Sequence, residues 1–263
     1  MKPDQQAAEV EPTSTQAISD EHDLAAGLRG LATVIAGGRT VEAVLGEVSQ
    51  FAAQAIPGVD GAGVTLIHPV GSTMGIQAWA VTAPFVHDID VLQYETLQEG
   101  PCISCMQTRQ PVVSPELGDD ERWPRFGPQV ARLGVASVLS LPLLLDDQVV
   151  GSINAYAHAS NVFNDHAVRL GSAFAAPAAV SVYNAQLLIG ARDLATQLQR
   201  ALASRGVIEQ AMGIVRARSG GTAEEAFDRL RVISQSENVK LAVVAQRLVD
   251  DAVRRAAARR RTS

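Results

Sequence analysis

Two strand-like runs separated by only two residues constrain the fold more than any other feature of the sequence. They are Ser137 to Leu145 and Gln148 to His158, and the intervening Asp146-Asp147 is a tight-hairpin signal, although a weaker one than Asp-Gly. A second pair of strands is predicted at Ala62 to His68 and Met74 to Val81. Antiparallel hairpins argue against a doubly wound parallel sheet, so this part of the chain is predicted to be α+β.

Helical patterns flank these strands. Apolar residues recur at intervals of three and four from Leu24 onward, and again after Thr40, which is a plausible N-cap. Further elements are predicted as helices over Val86–Gln98, Cys102–Arg109 and Glu121–Leu133 and as a short strand over Pro111–Ser114. Residues 1–20 are polar and acidic, so they are expected to form a disordered lead-in.

The longest helical pattern follows Asn164, a good N-cap, and continues past Gln199, with Pro177 as a candidate kink. It carries a seam of mainly apolar residues with alternating spacings of three and four. The seam consists of Val180, Asn184, Leu187, Ala191, Leu194, Leu198, Ala201, Ile208 and Met212, and Arg205 interrupts it. This spacing favours a parallel homodimer, with Asn184 fixing the register. The alternative is that the seam packs on its own domain.

The stretch from Arg205 to Lys240 is basic and helical by pattern. Its first helix is predicted to end near Arg218. Thr222, followed three residues later by Glu225, is a capping-box signature that marks the start of a second helix. A third helix is predicted to begin near Asn238, so the end of the chain is expected to be an all-α unit of three helices.

Charge is distributed unevenly along the 263 residues. Residues 1–191 carry 8 Lys+Arg against 20 Asp+Glu, a balance of −12, whereas residues 192–263 carry 14 against 8, a balance of +6. The acidic part is not expected to approach nucleic acid or an anionic membrane readily, whereas the basic part could. The basic tail at 254–263 would add attraction to phosphate, unless it serves only as a solubilising terminus.

The sequence favours a reducing, cytoplasmic location. Its two cysteines exclude a disulfide framework. The N-terminus lacks the apolar core of a signal peptide. The longest nearly apolar run, around Leu133 to Leu145, is interrupted by Ser137, Ser140 and Pro142 and is too short to span a bilayer. No membrane partner is therefore expected.

Cys102 and Cys105 form a CxxC at a predicted helix start, a position that lowers a thiol pKa in principle. A redox role is therefore one interpretation, but buried structural thiols are the default. The pair supplies only two zinc ligands and no second pair exists. The chain also lacks GxSxG, Walker A and strand-following GxGxxG motifs. Neither enzyme activity nor a metal or cofactor is expected.

Three C-terminal segments, IEQAMGIV, EEAFDRLRVIS and NVKLAVVAQRLV, resemble the ANTAR domain, a three-helix RNA-binding antiterminator module. The resemblance covers roughly residues 194–253. It departs at one position, because ANTAR domains usually have an AKG triplet where this chain has Ala211-Met212-Gly213. If the usual Lys contacts phosphate, Met212 removes that contact.

The first part of the chain resembles a GAF domain through QYETLQEGPC, RWPRF, GVASVLSLPLLL and VVGSINAYA. The resemblance implies a six-stranded antiparallel sheet with flanking helices and an unidentified small-molecule ligand. Candidate pocket residues are Trp79, Tyr94, Trp123 and Phe126, although aromatic residues in so sparsely aromatic a chain are more often core. The expected division is a lead-in at 1–20, a GAF-like sensor at 21–185, a helical connector at 186–200, an ANTAR domain at 194–253 and the tail at 254–263.

The ANTAR resemblance implies a function. Such proteins bind paired stem-loops in leader transcripts, generally as dimers, and stop a terminator hairpin from forming, so that transcription continues. The resemblance to a GAF domain implies that a signal received there controls the dimer or its RNA-binding surface. The candidate RNA contacts are Arg205, Gly213, Arg216, Arg218, Arg231 and Lys240.

Two physical arguments support these candidates. Arginine offers a planar fork of donors and can stack on exposed loop bases. A mid-helix glycine such as Gly213 costs roughly 1 kcal/mol relative to alanine, which close approach of RNA or of another helix would offset. The alternative for each charge is a solvated helix surface.

Three other functions remain open at this stage. The chain could be a GAF sensor that dimerises and acts through protein contacts without RNA. It could be a thiol-dependent enzyme that uses the cysteine pair. A small basic helical domain could also bind duplex DNA.

Overall fold

The computed structural model describes residues 12–34, 39–70 and 73–262. It divides into two compact units, Met1–Ile189 and Gly190–Ser263. The helices are α1 (Ser14–Thr33), α2 (Val41–Ala55), α3 (Pro84–Val91), α4 (Pro101–Thr108), α5 (Gly127–Arg132), α6 (Asp165–Ser219), α7 (Ala223–Glu237) and α8 (Leu241–Thr262). The strands are β1 (Gly61–Val70), β2 (Thr73–Val81), β3 (Val112–Ser114), β4 (Ser137–Leu145) and β5 (Gln148–Ala157).

The described strands form one antiparallel sheet in the order β2-β1-β5-β4-β3. The hairpin between β4 and β5 is the one expected at Asp146-Asp147, and Asp146 adopts the left-handed backbone conformation, with a φ of 52°. The predicted α+β fold is thus confirmed. The resemblance implied six strands, whereas the described part of the chain contains five.

The two faces of the sheet differ in chemistry because strand residues alternate sides. On one face, Val64, Leu139 and Ile153 belong to a large apolar core shared with α2 and the first turns of α6. On the opposite face, Thr65 lies beside Ser152 in the cross-strand register, and Ser140 lies beside Asn154. The sheet therefore presents a strip of polar side chains toward α3 and α4, beside an apolar cluster that includes Val138 and Tyr156.

Local capping signals place the helix ends. Thr40 accepts a hydrogen bond from the Ala43 N–H at 3.3 Å at the start of α2. The predicted capping box of α7 is present, with Thr222 and Glu225 bonding reciprocally. Asn238 ends α7 in the left-handed conformation, with a φ of 52°. These polar side chains satisfy backbone groups that a helix end would otherwise leave unpaired.

Two predicted boundaries are wrong. Helix α1 begins at Ser14, inside the segment 1–20 expected to be disordered, while residues 1–11 lie outside the described residues. Helix α5 begins at Gly127 rather than Glu121, because the Asp120 carboxylate accepts from the Arg122 N–H in a turn and a proline follows Trp123. Helix α8 continues through the basic tail to Thr262, as its Ala and Arg content favours.

Helix α6 is capped as predicted, since Asn164 accepts from the Ala167 N–H at 3.1 Å. It contains Pro177 and, among the described residues, is the one helix long and apolar enough to cross a membrane by length and composition alone. Its first part packs on the sheet, with Phe174 and Ala178 fully buried. Core helices of soluble proteins meet the same test.

Candidate RNA-binding surface and sensor site

The C-terminal unit has a small core of its own. Ala211 on α6, Leu230 on α7 and Val244 and Ala245 on α8 are buried together. Met212 is half-buried and packs against this cluster. The side chain at the position where the ANTAR resemblance expects Lys therefore contributes to packing here and offers no charge to phosphate.

Arg205 and Arg216 lie on one side of α6. They are eleven residues apart, which corresponds to about three helical turns. The Arg205 side chain is 77% exposed and forms an i,i+4 ion pair with Glu209 at 2.9 Å. Arg216 is exposed, and its Nε donates to the Gly221 carbonyl at 3.3 Å, so it also holds the turn after α6.

The other charged candidates lie elsewhere in the unit. Arg218 is exposed on α6 and, at two residues from Arg216, points to a different side. Arg231 on α7 forms an exposed i,i+3 ion pair with Asp228 at 2.8 Å. Lys240 is exposed between α7 and α8, where its carbonyl accepts from the first turn of α8. No hydrogen bond or ion pair among the described residues joins any of these candidates to another.

Gly213 faces open space. A Cβ atom at this position would meet nothing within 4 Å among the described residues. Packing against another part of this chain is therefore not the reason for a glycine in the middle of α6. The surface around Gly213 remains open to an external partner.

The seam on α6 is exposed over much of its length. Val180, Leu187, Leu194 and Leu198 are 47%, 53%, 57% and 56% exposed. The residues of α6 that are buried in the first unit lie on another face of the helix, and they include Ala178, Val182 and Ala185. At the far end, Ile208 and Met212 pack in the C-terminal core instead of continuing an exposed seam.

A hydrogen-bonded network fills the polar face of the sheet in the first unit. Tyr94 is at its centre, and its hydroxyl lies 2.9 Å from Thr65 Oγ1 and 2.6 Å from Cys102 Sγ. Cys102 Sγ lies 2.7 Å from Ser152 Oγ, and Asn154 Nδ2 donates to the Tyr94 hydroxyl at 3.3 Å. Tyr94 comes from a π-helical turn, Leu92–Leu97, that follows α3, and such turns are frequent at functional sites.

Beside this network, three fully buried residues have unsatisfied polar groups. Neither carboxylate oxygen of Asp90, nor Gln93 Nε2, nor the Tyr156 hydroxyl has a hydrogen-bond partner of normal geometry among the described residues. Gly63 on β1 leaves room for the carboxyl group, since a Cβ there would lie 3.1 Å from Asp90 Oδ2. The Tyr156 hydroxyl lies close to both the Asp90 carboxyl group and Gln93, so their mutual attraction offsets part of the cost of about 1–3 kcal/mol that an isolated buried polar group carries.

Burial controls the protonation of Asp90. Desolvation raises the pKa of its carboxyl group from 3.8 to about 8, and the nearby Tyr156 hydroxyl opposes this shift in part. At neutral pH the group is therefore mainly a neutral acid, which can donate as well as accept a hydrogen bond.

The cysteine pair is buried and unbridged. Burial raises the pKa of the Cys102 thiol to about 11, although hydrogen bonds from Ser152 and Tyr94 partly oppose the shift. Burial also raises the pKa of Cys105. Both thiols are therefore protonated at neutral pH, which is the less nucleophilic form. Among the described residues, no group of three or more His, Cys, Asp or Glu could hold a metal ion.

The aromatic candidates do not form one pocket wall. Tyr94 is part of the polar network, whereas Trp123 and Phe126 are buried in an apolar cluster with α3 and α5. The ring centroids of Trp79 and Tyr94 lie 6.4 Å apart. Tyr94 is therefore the aromatic candidate that takes part in the polar network, and the pocket role of the four residues stays a prediction.

Sequence reasoning missed Asp90, Gln93 and Tyr156. A signal for two of them was present, because Asp90 and Gln93 follow Val86 at intervals of four and seven. These intervals place polar residues on the buried side of a helix.

Comparisons with known proteins match both parts of the chain. The family model of the GAF domain matches residues 38–182, and that of the ANTAR domain matches residues 196–249. No curated protein matches the chain.

Solved structures that resemble the chain include free methionine-R-sulfoxide reductase from Neisseria meningitidis in complex with its substrate. It is 13% identical with a TM-score of 0.48, and the match covers 69% of this chain and 98% of that one. The GAF domain of an Acinetobacter phosphoenolpyruvate-protein phosphotransferase is 15% identical with a TM-score of 0.47, covering 67% and 97%. The corresponding domain from Coxiella burnetii is 13% identical with a TM-score of 0.48, covering 64% and 98%.

Proposed function

The chain belongs to the GAF domain family and also carries an ANTAR domain, and from this premise we propose that it is a signal-responsive RNA-binding regulator of transcription antitermination. It binds stem-loops in leader transcripts as a dimer and acts in the cytoplasm. The observation that supports this most is the basic C-terminal unit, which presents exposed arginines on α6 and α7 and follows the acidic first unit in the sequence.

The exposed seam supports the dimer. Several large apolar residues of α6 are about half exposed among the described residues, and their spacing of three and four matches a partner helix of the same kind. In a parallel pair, the exposed Asn184 of each copy meets its counterpart and fixes the register. Two copies bring two C-terminal units to one RNA, which suits paired stem-loops.

The RNA surface centres on the side of α6 that carries Arg205 and Arg216. The ion pair between Arg205 and Glu209 is exposed, so its contribution is only about 0–1 kcal/mol, and the guanidinium can exchange it for phosphate or a loop base. Gly213 lets RNA backbone approach α6 closely. The charge that Met212 does not supply is replaced by the surrounding arginines.

The unsatisfied cluster of Asp90, Gln93 and Tyr156 is the proposed sensor site for a small-molecule signal. A ligand with both donor and acceptor atoms would satisfy these groups without requiring a charge, because the Asp90 carboxyl group is mainly neutral. The cluster is formed by α3, the π-helical turn and β5, so binding there would tighten the helices against the sheet.

Binding of the full chain to leader RNA tests this proposal. Fluorescence anisotropy would compare RNA carrying tandem stem-loops with duplex DNA of equal length, at about 50 mM and about 200 mM salt. We expect the tandem stem-loop RNA to bind more tightly than DNA at both salt concentrations, with an affinity that falls as salt rises. An absence of RNA binding at the lower concentration would overturn the proposal, and tighter binding of duplex DNA would favour a DNA-binding protein.

The alternative is a GAF sensor that dimerises and acts through protein contacts without RNA. Two observations favour it: Met212 packs in the core, and both Arg205 and Arg231 already have carboxylate partners. This alternative predicts that a variant lacking both arginines regulates its transcripts normally in cells. A thiol-dependent enzyme is disfavoured, because burial raises the pKa of Cys102 to about 11.

A further inference from the structure

A pocket lies in the first unit beside β4, on the side of β4 that faces away from β5. It has a volume of about 270 Å³ and is lined by the segment after α4, by β4 and by α6. Its apolar wall includes Leu141, Leu144 and Ala175, and its polar lining residues are Arg109, Gln110 and Ser172. None of its lining residues is acidic.

The pocket exists because β3 is short. Strand β3 pairs with β4 only as far as Ser140, so the next residues of β4 have no strand beside them on this edge. Pro142 lies in this part of β4 and lacks a backbone N–H, which makes the edge a poor template for a further strand. The gap is therefore suited to a small molecule.

Arg109 is the distinctive residue of this pocket. Among the described residues its side chain makes no ion pair or hydrogen bond, although most of the acidic charge of the chain lies in this unit. Its backbone is left-handed, with a φ of 59°, and closes α4 through its N–H. Glycine is the usual residue in that conformation. The cap uses only the backbone, so the arginine side chain is available for another role.

We infer that this pocket binds a small, mainly apolar carboxylate, with the Arg109 guanidinium as its counter-ion. A planar guanidinium matches a carboxylate through two parallel hydrogen bonds. The Gln110 amide and the Ser172 hydroxyl add donors, while the leucine and alanine walls cover the apolar body of the ligand. A phosphate would leave most of its oxygens against these apolar walls.

The site adjoins the proline inside α6. Ala175 and Ala176 line the pocket and directly precede Pro177, where the helix lacks one main-chain hydrogen bond. A ligand that contacts both β4 and α6 would therefore fix α6 at that point. An effect of this ligand on RNA binding through α6 rests on the proposed function, whereas ligand binding itself does not.

Benzoate and benzamide, which have similar shapes but differ in charge, test the inference on the full-length protein without RNA. Titration calorimetry or ligand-observed NMR would measure both. We expect benzoate to bind at least about tenfold more tightly than benzamide, and R109Q to lower benzoate affinity to the level of benzamide. A176L adds bulk to the pocket wall at an exposed position and should weaken both ligands.

Arg132 provides a matched control. It is exposed on α5, its side chain makes no ion pair or hydrogen bond among the described residues, and it does not line the pocket. R132Q should bind benzoate like the wild type. The inference is overturned if benzoate does not bind at about 10 mM, if benzamide binds equally well, or if R132Q weakens benzoate binding as much as R109Q. Because RNA is absent, none of these results bears on RNA binding.

Discussion

Replacing Gly213 by alanine separates the two roles that a mid-helix glycine can have. The added methyl group would enter open space, since no described atom apart from the adjacent residues and the local backbone of α6 lies within 4 Å of the Cβ position. The substitution should therefore stabilise α6 by about 1 kcal/mol through helix propensity alone. In a unit of this size that corresponds to a rise in Tm of about 4–8 °C.

RNA binding should change in the opposite direction. If RNA backbone approaches α6 at Gly213, the methyl group separates the two surfaces and we expect an affinity loss of about tenfold, or about 1.4 kcal/mol. Thermal unfolding followed by circular dichroism and anisotropy with tandem stem-loop RNA measure the two effects on one protein preparation. Greater stability with weaker binding is a combination that loss of folding cannot produce.

Gly190 is the matched control for this experiment. It also lies on α6 with nothing within 4 Å of a Cβ, but it is outside the residues matched by the ANTAR domain. G190A should stabilise the helix and leave RNA affinity unchanged. The reasoning is refuted at its functional step if G213A binds RNA like the wild type, and at its structural step if G213A lowers the Tm.

Three further predictions follow from the same geometry. Replacing both Leu194 and Leu198 by asparagine should convert a dimer into a monomer in sedimentation experiments at micromolar concentration. The control variant L202N should remain dimeric, because Leu202 lies off the seam and is 69% exposed in the wild type. A monomeric wild type would contradict this prediction. R205A should reduce the slope of log affinity against log salt by about one and weaken all RNAs by similar factors, and an unchanged slope would exclude a phosphate contact. For Asp90, the pKa of about 8 in the folded state lies above the ordinary value of 3.8. Between these two pH values the folded state therefore holds a proton that the unfolded state has lost. The free energy of unfolding should then fall by about 1.4 kcal/mol per pH unit as pH rises. D90N should remove that part of the slope in denaturant titrations from pH 5 to 8, and an unchanged slope would show that the Asp90 pKa is not raised.

Features encoded by neighbouring residues were predictable from the sequence. The β4–β5 hairpin and the Thr222–Glu225 capping box depend on residues a few positions apart, and both are present. The predicted start of α5 is wrong, although the signal for the correct start is also local. The apolar periodicity outweighed the turn signal of Asp120.

The hydrogen-bonded network around Tyr94 could not be assembled from the sequence in the same way. Thr65, Tyr94 and Ser152 are distant along the chain and meet only because β1 lies beside β5 and a helical turn covers both. Periodicity also could not decide whether the seam of α6 is core or surface. The structure separates the two faces, since Val182 is buried while Leu187 is exposed.

The behaviour of Met212 depended on packing that no single sequence displays. The ANTAR resemblance marked the position only as a missing charge. In the structure, Met212 packs against the small core that Ala211 and Leu230 help to form. This position therefore lacks the positive charge of a lysine and instead supplies an apolar contact to the core of the C-terminal unit.

Crosslinking of the protein to RNA in cells, followed by sequencing of the bound RNA, tests most directly whether the chain is an RNA-binding antitermination regulator. We expect the recovered RNA to be concentrated in leader transcripts that carry tandem stem-loops ahead of a terminator hairpin. A variant with both Arg205 and Arg231 replaced by alanine should lose that enrichment while keeping its cellular abundance. Recovery of the same RNA with the wild type and the double variant, or no enrichment of leader transcripts by the wild type, would contradict the proposed function.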